Sequence, residues 1–158
     1  MFLKYGSKIY QYSTTLGLDS LRQYIADRYN KIWGMNITID NIIITTGSQQ
    51  ALDLIGKVFI NEHDNVMVEK PSYLGLLQSF CMYMANFVQT KLNDDGLDIE
   101  DLKHTLKTYK PKVAYLIPNF QNPKGLTYTA ENRQKEDGVF LILSEKYFSN
   151  IILSLLLL

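Results

Sequence analysis

Cysteine is almost absent from these 158 residues: Cys81 stands alone. A single cysteine excludes an intramolecular disulfide and fits a reducing compartment, the cytoplasm. In its apolar stretch, Phe80-Cys81-Met82, it reads as a buried structural thiol rather than a nucleophile. Histidine is nearly as scarce. His63 and His104 fall in charged, exposed-looking segments, and with one cysteine they make no metal-site spacing. An excess of either charge is missing too: Lys+Arg and Asp+Glu both number 16, so the formal net charge is zero. Without a basic run or basic helix, nucleic acid is not an expected partner and attraction to a membrane surface is weak. Neither a GxGxxG nor a GxxxxGK[ST] pattern occurs, which removes the dinucleotide and P-loop readings. The start, Met1-Phe2-Leu3-Lys4-Tyr5-Gly6, has no apolar core of signal-peptide length. Residues 139–143 and 151–158 are almost wholly apolar. Ser144-Glu145-Lys146 and Ser149-Asn150 interrupt them, so the uninterrupted part is too short to span a bilayer as a helix; the end reads as truncated or altered, with a weak tail anchor as the alternative.

What is present is 46% hydrophobic content in a chain long enough for one domain with a core, and a regular alternation of patterns. Leu18, Leu21, Ile25, Tyr29 and Ile32 recur at helical spacing, and Gly34 follows as a C-cap. Residues 42–45 read as a buried strand and 49–60 as a helix with Leu52, Ile55 and Phe59 on one face. A short strand over 66–69 is stopped by Pro71, and 75–84 is helical again. Phe87-Val88 restarts a strand, and Asn93-Asp94-Asp95-Gly96 is a turn cluster. Residues 98–109 form a helix whose first turn is set by Asp98 and Asp101, and 113–117 is a buried strand. Strands alternating with helices predict an α/β fold with a largely parallel sheet. Ligands of such sheets bind beyond the carboxyl ends of the strands.

Three loops fall at such ends. Thr45-Thr46-Gly47-Ser48-Gln49 leads from an apolar run straight into a helix. The N–H groups of that first turn and the helix dipole suit an anion, a phosphate above all, and Ser48 adds a hydroxyl. Glu69-Lys70-Pro71-Ser72-Tyr73 puts an aromatic ring just past a strand end. It reads either as a packing tyrosine, one of 11 in the chain, or as a flat ring for a planar ligand. Pro118-Asn119-Phe120-Gln121-Asn122-Pro123-Lys124-Gly125 suits a plain turn, or an Asn122 amide fixed beside Pro123 for a ligand.

In order and spacing these segments resemble the fold-type I, pyridoxal 5′-phosphate-dependent aminotransferases of class I/II. The nearest branch holds the 2-aminoadipate and kynurenine aminotransferases and the MocR-type regulators. The resemblance rests on Tyr12-x4-Gly17-x3-Leu21-Arg22, Ile44-Thr45-Thr46-Gly47-Ser48-Gln49-Gln50-Ala51-Leu52, Pro71-Ser72-Tyr73, Asp94-Asp95-Gly96-Leu97 and Gln121-Asn122-Pro123-Lys124-Gly125. It runs from about Tyr10 to Arg133 and answers to less than half of a full-length member.

The resemblance implies a partial three-layer α/β/α sandwich of the large-domain type over residues 1–135. Residues 136–158 then form a divergent apolar tail, truncated or frameshifted. It implies pyridoxal phosphate as cofactor, an amino acid and a 2-oxo acid as substrates, and a homodimer. Gly47, Ser48 and Gln49 would form the phosphate cup, and Tyr73 would stack on the pyridine ring. Asn122 would donate to the ring's phenolate oxygen, and Tyr12 would either reach the phosphate of a neighbouring subunit or simply pack beside the first helix. Arg22 reads as structural. The family's cofactor-binding lysine, the carboxylate beside the pyridine nitrogen and both arginine clamps lie downstream of the Asn-Pro-x-Gly loop. Lys146 is not in the family's Ser-x-Ser-Lys context. No catalytic residue and no covalent cofactor attachment are therefore expected in this chain, and no transamination by it alone. The alternative is a non-catalytic remnant or the effector-binding domain of a MocR-type regulator.

Overall fold

The computed structural model describes residues 12, 14–147 and 151–154. The leader reading at residues 1–6 and the leucines at 155–158 lie outside the described residues. The chain divides into two compact units, Met1–Ala51 and Leu52–Leu158.

In the first unit, helix α1 (Asp19–Trp33) occupies the segment its apolar spacing predicts, and Gly34 closes it in the left-handed region at φ +62°. Arg22 and Ala26 are its buried residues. A 3-10 turn follows at Ile39–Asn41. The strand expected over 42–45 does not form. Its backbone is not part of a ladder, and Ile43 is exposed. The reason lies in α1. The Arg22 Nε donates to the Ile42 carbonyl (2.8 Å) and its NH2 to the Ile39 carbonyl (2.7 Å), while the Ile44 amide donates to the Leu16 carbonyl (2.9 Å). With those groups satisfied elsewhere, the segment has no need of a strand partner. Arg22, 4% exposed and also paired with Asp19, is a structural residue.

Helix α2 (Ser48–Phe59) begins at the Gly47-Ser48 turn, as expected, and contributes Leu52 to the core of the second unit. That unit is built on a four-stranded sheet, β1 (Asn65–Lys70), β2 (Asn86–Lys91), β3 (Val113–Leu116) and β4 (Ile151–Ser154), in the order β2-β1-β3-β4. Each pairing is parallel, with Asn65 beside Asn86, Val66 beside Val113 and Val113 beside Ile151. The crossovers are α3 (Leu74–Cys81), α4 (Ile99–Tyr109) and α5 (Ala130–Tyr147).

Alternation along the strands makes two cores. Val66, Val68, Val113, Tyr115 and Ile117 pack with Leu52 of α2 and with Leu76 and Phe80 of α3. Met67, Val88, Ala114 and Leu116 pack with Leu102 and Leu106 of α4 and Val139 of α5. Helices on both faces of a parallel sheet make the α/β/α sandwich that was expected.

Two further local expectations fail. The helix expected to reach residue 84 stops at Cys81, because the chain turns at 82–84 and Met84 takes φ +52°, outside the helical region. Cys81 is exposed rather than buried. Leu76 and Phe80, four apart, define the inward face of α3, and residue 81 is turned by a further 100° away from it. Asp98 does cap α4 as its sequence predicts, accepting from the Glu100 and Asp101 amides.

Candidate functional site

The Gly47-Ser48 turn is held in shape by its own neighbours. The Thr45 hydroxyl donates to the Gly47 carbonyl (3.1 Å). The Thr46 amide and hydroxyl both donate to Gln50 Oε1, at 2.7 and 2.9 Å. Gly47 sits at φ +84°, where a side chain is disfavoured, and a Cβ there would meet nothing within 4 Å. The space beside Gly47 is open, therefore, and glycine is demanded by the backbone angle. Ser48 opens the 12-residue helix and is half-buried, whereas Gln49 is exposed. Tyr12 belongs to no element and is fully exposed.

In the second unit Tyr73 is the N-cap residue of α3, half-buried, with its ring folded back over Gly75. A Cβ at position 75 would lie 2.5 Å from the tyrosine's Cζ and hydroxyl oxygen, so a glycine is what lets the ring lie there. Beside it, the Ser72 hydroxyl is buried with no partner among the described residues. The Tyr115 hydroxyl, on β3, is likewise buried and unpaired, and burial raises its pKa far above the usual tyrosine value, with Glu69 and Tyr73 adding to the effect. Asn122 is exposed, in a loop whose shape is fixed by main-chain bonds from Gln121 to Leu126 and from Tyr128 to Pro118.

A buried carboxylate, hydrogen-bonded at both oxygens, is a feature the sequence did not mark out. Glu69, the fifth residue of β1, is fully buried. Its Oε1 accepts from the Ile117 amide (2.7 Å) and from the Tyr128 hydroxyl, and its Oε2 accepts from Gln121 Nε2 (2.7 Å). Burial pushes this carboxyl above the ordinary glutamate range, and the three donors pull it partway back. Gln121 Nε2 also donates to the Pro71 carbonyl (2.8 Å), and its Oε1 accepts from the Lys124 amide (2.9 Å). From α5, Arg133 donates to the carbonyls of Tyr128 and Pro118 and to Asn119 Oδ1. The loop carrying Asn122 and the loop carrying Tyr73 are thus tied to one carboxylate. A charged residue inside the apolar run Val66-Met67-Val68-Glu69 was the signal available in the sequence. Among the described residues no group of His, Cys, Asp or Glu could hold a metal ion, and no helix is long and apolar enough to cross a membrane.

In the second unit, two loops follow the carboxyl ends of parallel strands, one carrying Tyr73 and the other Asn122, the end of the sheet where α/β proteins bind their ligands. The sequence profile of aminotransferase class I and II matches residues 3–135, and the chain belongs to that family. It is 41% identical over 137 residues to aromatic-amino-acid aminotransferase 1 of Thermococcus litoralis, covering 84% of this chain and 33% of that protein. With the 2-aminoadipate transaminase of Thermus thermophilus the identity is 42% over 120 residues, covering 76% and 29%. The crystal structure of Pyrococcus horikoshii kynurenine aminotransferase in complex with PMP superposes with a TM-score of 0.82 at 41% identity, covering 96% of this chain and 37% of that one. The chain spans about a third of the length of the curated relatives it matches.

Proposed function

We propose that this chain is the part of a pyridoxal-phosphate-dependent aminotransferase that grips the cofactor, in a protein that moves an amino group between an amino acid and a 2-oxo acid. The observation that carries this reading is the Thr45-to-Ser48 turn, braced by Gln50 and open beside Gly47 at the start of a 12-residue helix. The residues fit the group. Gly47, Ser48 and Gln49 would take the phosphate, where oriented N–H groups and the helix dipole favour negative charge. Tyr73 would lie against the ring, with the unpaired Ser72 hydroxyl as a neighbouring donor. Asn122 would donate its amide to the ring's phenolate oxygen. Tyr12, exposed and free of any element, would serve the phosphate of a second subunit in a homodimer.

When bound, pyridoxal phosphate supplies the carbonyl that accepts the amino group and an electron-poor ring that spreads charge developing on the substrate. The described residues orient it and hold its charge. Proton transfer at the substrate α-carbon falls to a lysine, and none of the site residues proposed here is one. The cytoplasm is the compartment we infer, since an exposed free thiol such as Cys81 fits a reducing medium.

Calorimetric titration with pyridoxamine 5′-phosphate tests the reading, because this form has no aldehyde to react with surface lysines. Tyr73→Ala is expected to weaken binding by about 1–3 kcal/mol, by analogy with aromatic–base stacking. Ser48→Ala should weaken pyridoxamine 5′-phosphate and inorganic phosphate together, and Asn122→Ala only the former. Wild-type affinity in all three variants would refute the assignment.

A further inference from the structure

We propose that Glu69 and Gln121 are positioning residues that hold Tyr73 and Asn122 in a fixed relation to each other. The inference rests on the cofactor reading above and adds a coupling between its two ring contacts. Gln121 is 1% exposed, and three of the four hydrogen-bonding positions of its amide are filled within the chain. One N–H meets Glu69 Oε2, the other meets the Pro71 carbonyl, and Oε1 takes the Lys124 amide. Pro71 stands two residues before Tyr73, and Lys124 two residues after Asn122. The two loops are 50 residues apart in sequence and meet through this one side chain.

Glu69 fixes which way round that amide lies. Its oxygens face only donors: the Ile117 amide, the Tyr128 hydroxyl and Gln121 Nε2. A carboxylate oxygen opposite Gln121 forces the NH2 side of the amide toward Glu69 and Pro71 and the oxygen toward Lys124. Replacing Glu69 by glutamine keeps its shape and keeps one oxygen for Ile117 and Tyr128. The second position becomes an NH2 facing the NH2 of Gln121. To escape that contact Gln121 must turn over, which sets its oxygen against the Pro71 carbonyl and its NH2 against the Lys124 amide. E69Q therefore disconnects both loops while leaving the bonds to Ile117 and Tyr128 in place.

Amide NMR spectra of the whole chain read this directly. The Ser72 nitrogen is bonded to the Pro71 carbonyl carbon, so losing the hydrogen bond at that oxygen moves the Ser72 resonance. Lys124 loses its acceptor and its amide exchanges faster, while Ile117 stays protected. Q121M, which removes the bridge and spares the other two Glu69 bonds, should give the same two changes and serves if E69Q does not fold. In E69Q/Q121E the acceptor for Lys124 returns and the donor to Pro71 does not, so exchange at Lys124 recovers and the Ser72 resonance stays displaced. Affinity for pyridoxamine 5′-phosphate should fall roughly tenfold in E69Q and Q121M, the equivalent of one hydrogen bond's worth of misplacement, with inorganic phosphate binding unchanged. The proposal is overturned if only one loop responds, if neither does, or if both respond and pyridoxamine 5′-phosphate affinity holds. A wild-type chain that never saturates with pyridoxamine 5′-phosphate overturns the cofactor reading and the ligand half of this proposal. The coupling of the loops then stands or falls on the spectra.

Discussion

Glu136 is expected to make this protein less stable as the pH rises toward neutrality, and substitution by glutamine to remove that loss. The residue lies on α5, is 8% exposed, and has its carboxyl pushed from 4.5 up to about 7. Burial is the main cause, and the negative charges of Asp137 and Glu69 add to it, while Arg133 offsets part. Between pH 4.5 and 7 the native state holds a proton that the unfolded chain has already released. Stability from this group is therefore complete below pH 4.5 and is lost as the pH climbs through about 7. At 1.36 kcal/mol for each tenfold difference in proton affinity, the full loss is roughly 3 kcal/mol. For a chain of this size that is about 6–12 °C in Tm. Glu69, also raised by burial, acts in the same direction. The assay is urea unfolding of wild type and E136Q at pH 5, 6, 7 and 8, followed by far-ultraviolet circular dichroism. The two should differ least at pH 5, with the advantage of E136Q growing up to about pH 7 and levelling off by pH 8. A difference that stays constant from pH 5 to 8, or a wild type that is the more stable at pH 8, refutes the reasoning.

Other consequences of the packing are open to direct measurement. Gly56→Ala improves the intrinsic helix preference of α2 by about 1 kcal/mol, yet the added Cβ would run into the Tyr83 ring. We expect a net destabilisation of about 1–3 kcal/mol, relieved in G56A/Y83A, and a more stable G56A in thermal unfolding would show that Tyr83 moves freely. Asp98→Ala removes the acceptor of two amides at the start of α4, and loss of about 1 kcal/mol in chemical denaturation is the expected result; no change would mean that water replaces the cap.

Much of this protein was legible in its sequence, wherever the deciding interactions are short-range. Gly34 ends α1 and Asp98 starts α4, through bonds spanning four residues or fewer. The alternation of apolar runs gave the α/β class because a strand buried on both faces and an amphipathic helix differ in period. The turn at Gly47 could be read because a positive φ, the hydroxyl residues around it and the helix that follows all lie within five residues. Only the tertiary structure decided the rest. Residues 42–45 have the composition of a strand and are not one, since Arg22, twenty residues earlier, takes the Ile42 carbonyl. Cys81 looked buried by its apolar neighbours and is exposed, because the direction of α3 against the sheet sets its inward face. Glu69 shows the limit most clearly. A glutamate closing an apolar run is a faint signal in sequence, and its burial depends on donors 48, 52 and 59 residues away. Composition and period report what each segment prefers by itself. Which charges are desolvated, and which loops they tie together, is settled when distant segments meet and exclude water from the groups between them.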